Sequence, residues 1–190
     1  MPHLCILPAQ RQLFLMIGAV IATLTSCSRQ PKYIPERDLI VFVGKELSLE
    51  EQKPEKDPSD AKFKARYQVL KVVFGSYNKE EISFTVYDHY GRPEFAKYET
   101  ALLFVSSYEG ELYHEKYQFF DVYPTKNSRW ATCGDPYKFD DAHRGSLKPE
   151  KIDFVGNVKG ASGPCTEGNY IEDLFKVKKE GVLKTRGLFK

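Results

Sequence analysis

Short stretches in which apolar positions alternate with polar ones, or run together, predict β-strands in the first part of the chain. Residues 39–43 form a continuous apolar run of mainly β-branched and aromatic side chains that ends at Gly44, which is typical of a strand buried on both faces. In residues 63–69 every second position is apolar and the others are charged or polar, so one face of a strand is buried. Both faces become apolar after this stretch, which is typical of a strand that bends.

Three further stretches continue the strand pattern. Residues 82–90 alternate apolar and polar side chains and stop at the turn segment Gly91-Arg92-Pro93. Residues 101–107 and 112–123 lie on either side of a short turn, which predicts a β-hairpin. About five strands on short spacings, without helical patterns between them, predict a small antiparallel barrel.

The last third of the chain carries a weaker pattern, because glycines recur there and interrupt any long element. Residues 169–179 are the exception and predict a C-terminal helix. Ile171, Leu174 and Phe175 fall on one helical face, and lysines lie near the C-terminal end, where the helix dipole favours cations. Asn169 is placed to cap the first turn.

An apolar run also fills residues 13–23, and Leu24-Thr25-Ser26-Cys27 follows it. Arg11 precedes the run and small residues precede the cysteine, which is the charged, apolar and small order of an export signal. The apolar stretch is about twelve residues long, whereas a bilayer span needs roughly twenty, which disfavours the alternative of a retained transmembrane helix. The segment that ends at Cys27 resembles the lipobox of bacterial lipoprotein signal peptides.

This resemblance implies a lipid anchor. In bacterial lipoproteins the cysteine thiol receives a diacylglyceryl group, the peptide is cut before that cysteine, and the new amino group is acylated, so Cys27 is the expected lipidation site. Residues 1–26 would then be the signal peptide, residues 27–37 an acylated tether, and residues 38–190 a single β-barrel domain. Ser28, rather than an aspartate, follows the cysteine, which by the family's sorting rule favours the outer membrane. We therefore expect a protein of the bacterial cell envelope that faces the periplasm from the outer membrane.

Cysteine use follows from this assignment. Cys5 would leave with the signal peptide and Cys27 would carry the lipid, so Cys133 and Cys165 remain as a pair in an oxidising compartment. We expect them to form a disulfide that closes a loop of about thirty residues. The alternative is a metal-binding or catalytic cysteine, which neither a further thiol nor a Cys-His spacing supports.

Two segments resemble the start of netrin-like domains. They are Val41-Phe42-Val43-Gly44-Lys45 and residues 67–75, followed by a strand around residues 82–87. The family pattern is a strand that ends in Val-Gly-Lys, followed by a strand of the form Val-x-x-Val-x-Lys-Gly. In this chain Phe74-Gly75 stands where the second motif usually has Lys-Gly. The resemblance implies an OB-like barrel, shared with tissue inhibitors of metalloproteinases, and so a mainly β fold with a C-terminal helix. Their inhibitory chemistry does not follow, because it places a free N-terminal cysteine amine on zinc and the amine of Cys27 would be acylated.

Positive and negative charges are nearly balanced, with 28 Lys and Arg against 26 Asp and Glu. Such a balanced chain does not show the excess of basic residues that is typical of nucleic-acid binding, so we do not expect nucleic acid as a partner. The sequence also lacks a nucleophile motif such as Gly-x-Ser-x-Gly. We therefore expect neither an enzyme nor a cofactor.

Two histidines are candidate binding residues. His89 follows Asp88 at the end of a predicted strand, where the pair could orient an imidazole for general base catalysis or form a polar strand end. His143 lies in an acidic segment, residues 135–143, whose carboxylates could gather a cation. Because this spacing matches no known metal loop, the sequence favours a solvated acidic loop without a metal.

Aromatic residues make up 14% of the chain and are dense around the predicted hairpin. Alternation places Tyr113, Tyr117, Phe119 and Tyr123 on one face, and we expect most of these side chains in the core. An exposed subset, with Tyr113 and Tyr117 as candidates, could stack on sugars or form hot spots for a protein partner.

These observations favour a non-enzymatic protein-binding or inhibitor module that is anchored to the membrane by lipid and has an envelope protein as its partner. One alternative is an envelope hydrolase that acts on cell-wall material, with His89 or His143 beside Asp88 or Asp140. The other is a glycan-binding protein that uses the open face of the barrel.

Overall fold

Five long strands carry the fold within the residues that the computed structural model describes, which are 38–53, 59–160 and 163–189. The strands are β1 (Leu39–Glu51), β2 (Ala61–Phe74), β3 (Glu81–Asp88), β4 (Thr100–Tyr108) and β5 (Glu111–Asp121). They close into a barrel in the order β1-β2-β3-β5-β4, and every neighbouring pair is antiparallel except β3 with β5. All of the described residues belong to one compact unit.

Shorter elements make up the rest of the described chain. A 3₁₀ turn at Glu94–Lys97 connects β3 to β4, and a π-helical turn at Lys179–Leu183 follows the last helix. The other elements are β6 (Tyr123–Pro124), β7 (Trp130–Ala131), α1 (Asp141–Arg144), β8 (Glu150–Lys151), β9 (Lys159–Gly160), β10 (Gly163–Pro164), β11 (Glu167–Gly168) and α2 (Ile171–Lys178). The short strands pair as β6 with β7, β8 with β11 and β9 with β10.

The prediction of a mainly β fold, with a small OB-like barrel and a C-terminal helix, is confirmed. No helix in the described part of the chain is long and apolar enough to span a membrane. The expected signal peptide, the lipidation site Cys27 and the tether lie outside the described residues.

Strand β1 is buried on both faces, as predicted, but it does not end at Gly44. Ile40 and Phe42 face the barrel interior, whereas Val41 and Val43 belong to a second apolar cluster outside it. The pairing of β1 with β2 shifts register next to Gly44, and the strand continues to Glu51. A Cβ atom on Gly44 would lie only 2.6 Å from the ring of Phe42, so this glycine makes room for an aromatic side chain. The expected strand end is therefore a bend.

Large aromatic rings fill the barrel interior. Phe84 lies between Phe42 and Tyr67, with ring centroids 6.2 and 5.7 Å away, and Tyr67 also contacts Phe95 from the 3₁₀ turn. The Tyr67 hydroxyl donates a hydrogen bond to Glu46 at 3.1 Å. Burial raises the pKa of Tyr67, so this hydroxyl stays protonated and keeps its role as a donor.

Helix α2 covers the outer faces of β1 and β4. Its residues Ile171 and Leu174, with Leu183 from the π-helical turn, pack in the second apolar cluster against Val41 and Phe104. The predicted helix is therefore confirmed, and it begins two residues later than predicted.

The cap that we expected from Asn169 is wrong. Tyr170 occupies the cap position, and no side chain caps the helix. Asn169 is instead buried, where its side chain donates to the carbonyl of Lys148 at 2.8 Å and its backbone pairs with Thr132. These bonds hold Asn169 in the segment before the helix, so its side chain cannot reach the free N–H groups of the first turn.

The region after β5 is built around a small third cluster of buried residues: Ala131, Ile152, Phe154 and Tyr170. The expected disulfide between Cys133 and Cys165 is confirmed beside this cluster, with Cα atoms 5.7 Å apart. Cys133 follows β7, and Cys165 lies between the short strands β10 and β11, so the bridge joins segments 32 positions apart in the sequence.

A large irregular bulge interrupts β5. On β4 the pairing steps from Leu103 to Val105, whereas on β5 the facing step runs from Phe119 to His114. Tyr117 within the bulge has a φ of 65°, the left-handed region. Because an odd number of extra residues reverses which face a side chain occupies, both His114 and Phe119 turn toward the barrel interior.

The bulge changes the predicted faces of the aromatic residues. Tyr113, Phe119 and Tyr123 are half-buried, and Tyr117 is 45% exposed. The expectation that one unbroken alternation runs through residues 112–123, with most of these four rings in the core, is therefore wrong.

Candidate functional site

Three of the four predicted binding residues, His89, Tyr113 and Tyr117, lie directly after β3 and in β5, which are neighbouring strands of the barrel. We define the aromatic surface by the side chains of Tyr87, His89, Tyr90, Tyr108, Tyr113 and Tyr117. The parallel pairing of β3 with β5 at Thr85 and Tyr113 brings the end of β3 next to the β4–β5 hairpin. Sequence patterning alone missed this neighbourhood, because the pairing joins strands that are not consecutive in the chain.

The ring contacts of the aromatic surface fall into two groups, one of Tyr87, Tyr108 and Tyr113 and the other of His89, Tyr90 and Tyr117. Tyr87 and Tyr113 are nearly parallel, at 14°, with centroids 6.4 Å apart, and Tyr108 meets Tyr113 edge-on at 6.5 Å. Tyr90 contacts Tyr117 at 6.0 Å and is itself 84% exposed. Exposed rings that support one another keep a fixed orientation and leave large apolar faces for a partner.

Charged side chains lie between and beside these rings. Lys62 lies 5.6 Å above the Tyr87 ring, and Lys116 lies 5.3 Å above the Tyr117 ring. Lys116 also forms a 2.6 Å ion pair with Asp60, and this hydrogen bond lowers the pKa of the Asp60 carboxyl. The surface therefore combines aromatic faces with fixed charges of both signs.

His89 does not pair with Asp88. The Asp88 carboxylate accepts a hydrogen bond from the backbone N–H of Tyr90 at 2.9 Å, which is a turn contact. His89 donates from Nδ1 to the carbonyl of Ser59 at 2.7 Å, and Asp60 lies 3.4 Å from the same nitrogen. The structure therefore shows a turn at this strand end, in place of an imidazole held by Asp88.

A buried polar group lies beneath the aromatic surface, and sequence patterning did not identify it. His114 is buried between Phe84 and Phe95, with the Phe95 ring centroid 4.7 Å away, and its Nε2 donates to the carbonyl of Gln118 at 3.0 Å. Burial lowers the pKa of His114 to about 3, so the ring is neutral at physiological pH.

The neighbouring carboxylate ties the C-terminal segment to the bulge. Glu115 is buried and accepts hydrogen bonds from Ser106 at 2.5 Å and from Arg186 at 2.8 Å. Arg186 donates a second bond to the carbonyl of Lys116. These contacts fix the bulge that turns Tyr117 toward solvent.

The fourth predicted residue, His143, lies in a separate groove. The groove has a volume of about 870 Å³ and runs between residues 137–150 and the C-terminal helical region. His143 contacts Asp140 at 2.6 Å, and both side chains are exposed. None of the side chains of the aromatic surface lines this groove.

The acidic segment near His143 forms ion pairs. Asp135 and Asp141 both bind Arg144, at 2.7 and 2.9 Å. Within the described residues, no group of three or more histidine, cysteine, aspartate or glutamate side chains is placed to hold a metal ion. In comparisons with known protein families, curated proteins and solved structures, the chain matches none of them.

Proposed function

We propose that this protein is a lipid-anchored lipoprotein of the bacterial envelope whose barrel binds another envelope protein through the aromatic surface, without catalysing a reaction. The observation that carries the proposal is the clustering of exposed tyrosines at the junction of β3 and β5. Tyrosine offers a large rigid ring and a hydroxyl, so burying it costs little side-chain entropy and still leaves a polar contact. Binding hot spots are enriched in this residue type.

Charge placement supports a protein partner over an apolar surface such as a lipid. Lys62, Lys116 and Asp60 border the rings, and they would provide the polar rim that surrounds the apolar centre of a protein interface. The netrin-like resemblance of the sequence, which we carry as part of the proposal, is compatible with the closed barrel. The position at the outer membrane, facing the periplasm, is proposed from the lipobox-like sequence around Cys27.

Lipidation is tested by growing cells on an alkyne-bearing fatty acid and detecting the label on the purified protein. We expect Cys27→Ala to abolish labelling, because the thiol is the expected acceptor and its acylation precedes cleavage. Cys5→Ala is the matched control, since this cysteine lies in the proposed signal peptide, and it should label like the wild type. Labelling that persists in Cys27→Ala would exclude the lipid anchor at this residue.

Partner binding is tested by affinity capture of the tagged, acylated protein from gently solubilised envelopes. We expect one stoichiometric protein partner, and we expect Tyr90→Ser with Tyr117→Asn to weaken its binding by roughly thirtyfold or more. Asparagine suits position 117 because it tolerates the positive φ found there. Phe139→Ser is the matched control, because Phe139 is 94% exposed and lies outside the aromatic surface.

Two results would contradict this proposal. A partner that binds the tyrosine variants as tightly as the wild type would place the interface elsewhere. A preparation without any partner, with saturable binding of cell-wall glycan fragments lost in Tyr113→Ala, would favour the glycan alternative, which the near-parallel Tyr87 and Tyr113 rings suit.

A further inference from the structure

A small cavity lies at the end of the barrel beside the aromatic surface. It is lined by the rings of Phe95, His114 and Phe119, with the Phe95 centroid 4.7 Å from that of His114 and 6.0 Å from that of Phe119. Tyr90 and Tyr117 of the aromatic surface, which contact each other at 6.0 Å, also line it. Its volume is about 120 Å³. Since sites for small molecules usually begin near about 300 Å³, this cavity has room for one side chain of a partner.

A buried carboxylate belongs to the same lining. Asp88 is 7% exposed and borders the cavity. It follows Phe84 and Val86 at alternating positions of β3, and because both of these pack in the barrel interior, the Asp88 side chain lies on the interior face at the end of the strand. His114 and Phe119 turn toward the same interior from β5. The carboxylate and the rings therefore meet at the cavity from neighbouring strands.

Asp88 has no positive charge beside it. Arg92 and Glu94 also line the cavity, but Arg92 pairs with Glu46 at 3.3 Å and Glu94 pairs with Lys97 at 2.6 Å. Among the described residues that line the cavity, Asp88 is the one charged side chain without an ion pair, and it accepts a single backbone N–H. A carboxylate buried in this way loses water without gaining a cation, which is unfavourable.

The rings around the carboxylate favour a cation. The face of an aromatic ring carries partial negative charge and attracts an ammonium group that lies within about 6 Å of its centroid. His114 adds no positive charge to the lining, because burial lowers its pKa to about 3 and the neutral ring donates its Nε2 proton to Gln118. The cavity therefore combines aromatic faces with one buried negative charge.

We propose that this cavity binds one lysine side chain of the partner protein, with the ammonium against Asp88 and the methylene stem along Tyr90 and Tyr117. The inference rests on the proposed function, because it names the residue type that the partner presents to the aromatic surface. A lysine stem is apolar and its head carries three donors, so both the rings and the carboxylate are used. The arginine head is wider and planar, which suits a cavity of about 120 Å³ less well.

The first test needs no partner. Full-length protein with isotope-labelled histidine is titrated in detergent with N-acetyl-lysine methylamide, and NMR follows the signals of His114, whose ring lines the cavity. We expect a saturable shift of these signals. N-acetyl-norleucine methylamide, which has a similar stem without the charge, should bind at least tenfold more weakly. The arginine compound should also bind more weakly, and equal or tighter binding by it would overturn the choice of lysine.

Asp88→Asn tests the carboxylate. An asparagine oxygen can still accept the backbone N–H of Tyr90, so the turn is kept while the charge is lost. We expect the lysine compound to bind this variant at least tenfold more weakly, and the thermal midpoint to equal or exceed that of the wild type, because an unpaired buried charge is removed. Glu80→Gln is the matched control, since Glu80 is exposed before the opposite end of β3 and does not line the cavity.

The second test carries the same two variants into the affinity capture of the partner. We expect Asp88→Asn to weaken partner binding by roughly tenfold or more and Glu80→Gln to leave it unchanged. Equal binding of the lysine and norleucine compounds, or an unchanged affinity of Asp88→Asn for the lysine compound, would overturn the cavity as a lysine site, even where the tyrosine variants confirm the aromatic surface.

The two tests separate this inference from the proposed function. Lysine binding in the titration together with unchanged partner capture by Asp88→Asn would overturn the assignment of the cation to the partner. Capture of no partner at all would contradict the proposed function, and the titration would still decide whether the cavity binds a cation.

Discussion

Replacing Cys133 and Cys165 together with serine will lower the free energy of unfolding by roughly 3 to 4 kcal/mol, because the disulfide closes a loop across 32 positions of sequence. The loss should be severe for this region in particular. Its cluster contains only four buried residues among those described, and each strand of its paired short strands is two residues long. Such short elements cannot offset the entropy of the surrounding loops without a covalent link.

Urea unfolding followed by tryptophan fluorescence measures this effect. The chain has a single tryptophan, Trp130, which lies in β7 three residues before Cys133. Wild-type protein in reductant is the matched control, and its midpoint should fall to that of the double variant, whereas the variant should not respond to reductant. Equal stability of the oxidised wild type and the double variant would show that the bridge does not constrain the unfolded chain.

Local patterning predicted the elements of the barrel because each strand buries at least one face. The alternation in residues 63–69 and the apolar run in residues 39–43 both report burial directly, and β2 and β1 contain them. The cysteine pair was predictable for a different reason, since the expected signal peptide and lipid anchor account for the other two cysteines and leave this pair. The strand signal depends on neighbouring residues alone, and the disulfide signal depends on the number of cysteines.

The features that sequence patterning missed depend on contacts distant along the chain. Nothing local indicates that β5 gains extra residues opposite Leu103 and Val105, and this insertion decides that Tyr117 is exposed and His114 is buried. Gly44 looks like a strand end, but its role is set by the ring of Phe42 packed against it. The two-residue strands after β5 carry no periodicity long enough to detect.

The candidate site was predictable in part for the same reason. His89, Tyr113 and Tyr117 were identified as polar or aromatic residues at strand ends and in the hairpin, and in the structure Tyr113 contacts Tyr87 while His89 and Tyr117 both contact Tyr90. Tyr87 and Tyr90 join them only because β3 pairs with β5. The groove that contains His143 forms between segments more than twenty positions apart, and no motif marks it.

Acid will destabilise this protein through His114. In the unfolded chain the imidazole binds a proton below about pH 6.5, whereas in the folded protein its pKa is lowered to about 3, chiefly by burial and also by the charge of Arg186. Between these values the unfolded state holds more protons, so the free energy of unfolding rises with pH and falls as the solution is acidified. From pH 6.5 to pH 4.5 this one group should remove roughly 2 to 3 kcal/mol.

Comparison with His114→Phe isolates the contribution. Phenylalanine keeps a ring between Phe84 and Phe95 and cannot be protonated, while the carboxylates that also titrate in this range remain in both proteins. We expect the variant to lose roughly 2 to 3 kcal/mol less than the wild type between pH 6.5 and pH 4.5, measured by urea unfolding at a series of pH values. His143→Phe is the matched control for the loss of a histidine at an exposed position.

The magnitude of this difference also reports on the bulge in β5. His114 is buried only because the extra residues opposite β4 turn it inward, and the carbonyl of Gln118 within the bulge accepts its N–H. If the bulge opened in solution, water would reach the imidazole and the pKa of the folded state would return toward its ordinary value. Parallel stability curves for the wild type and His114→Phe would therefore contradict both the burial of His114 and the bulge that presents Tyr117 to a partner.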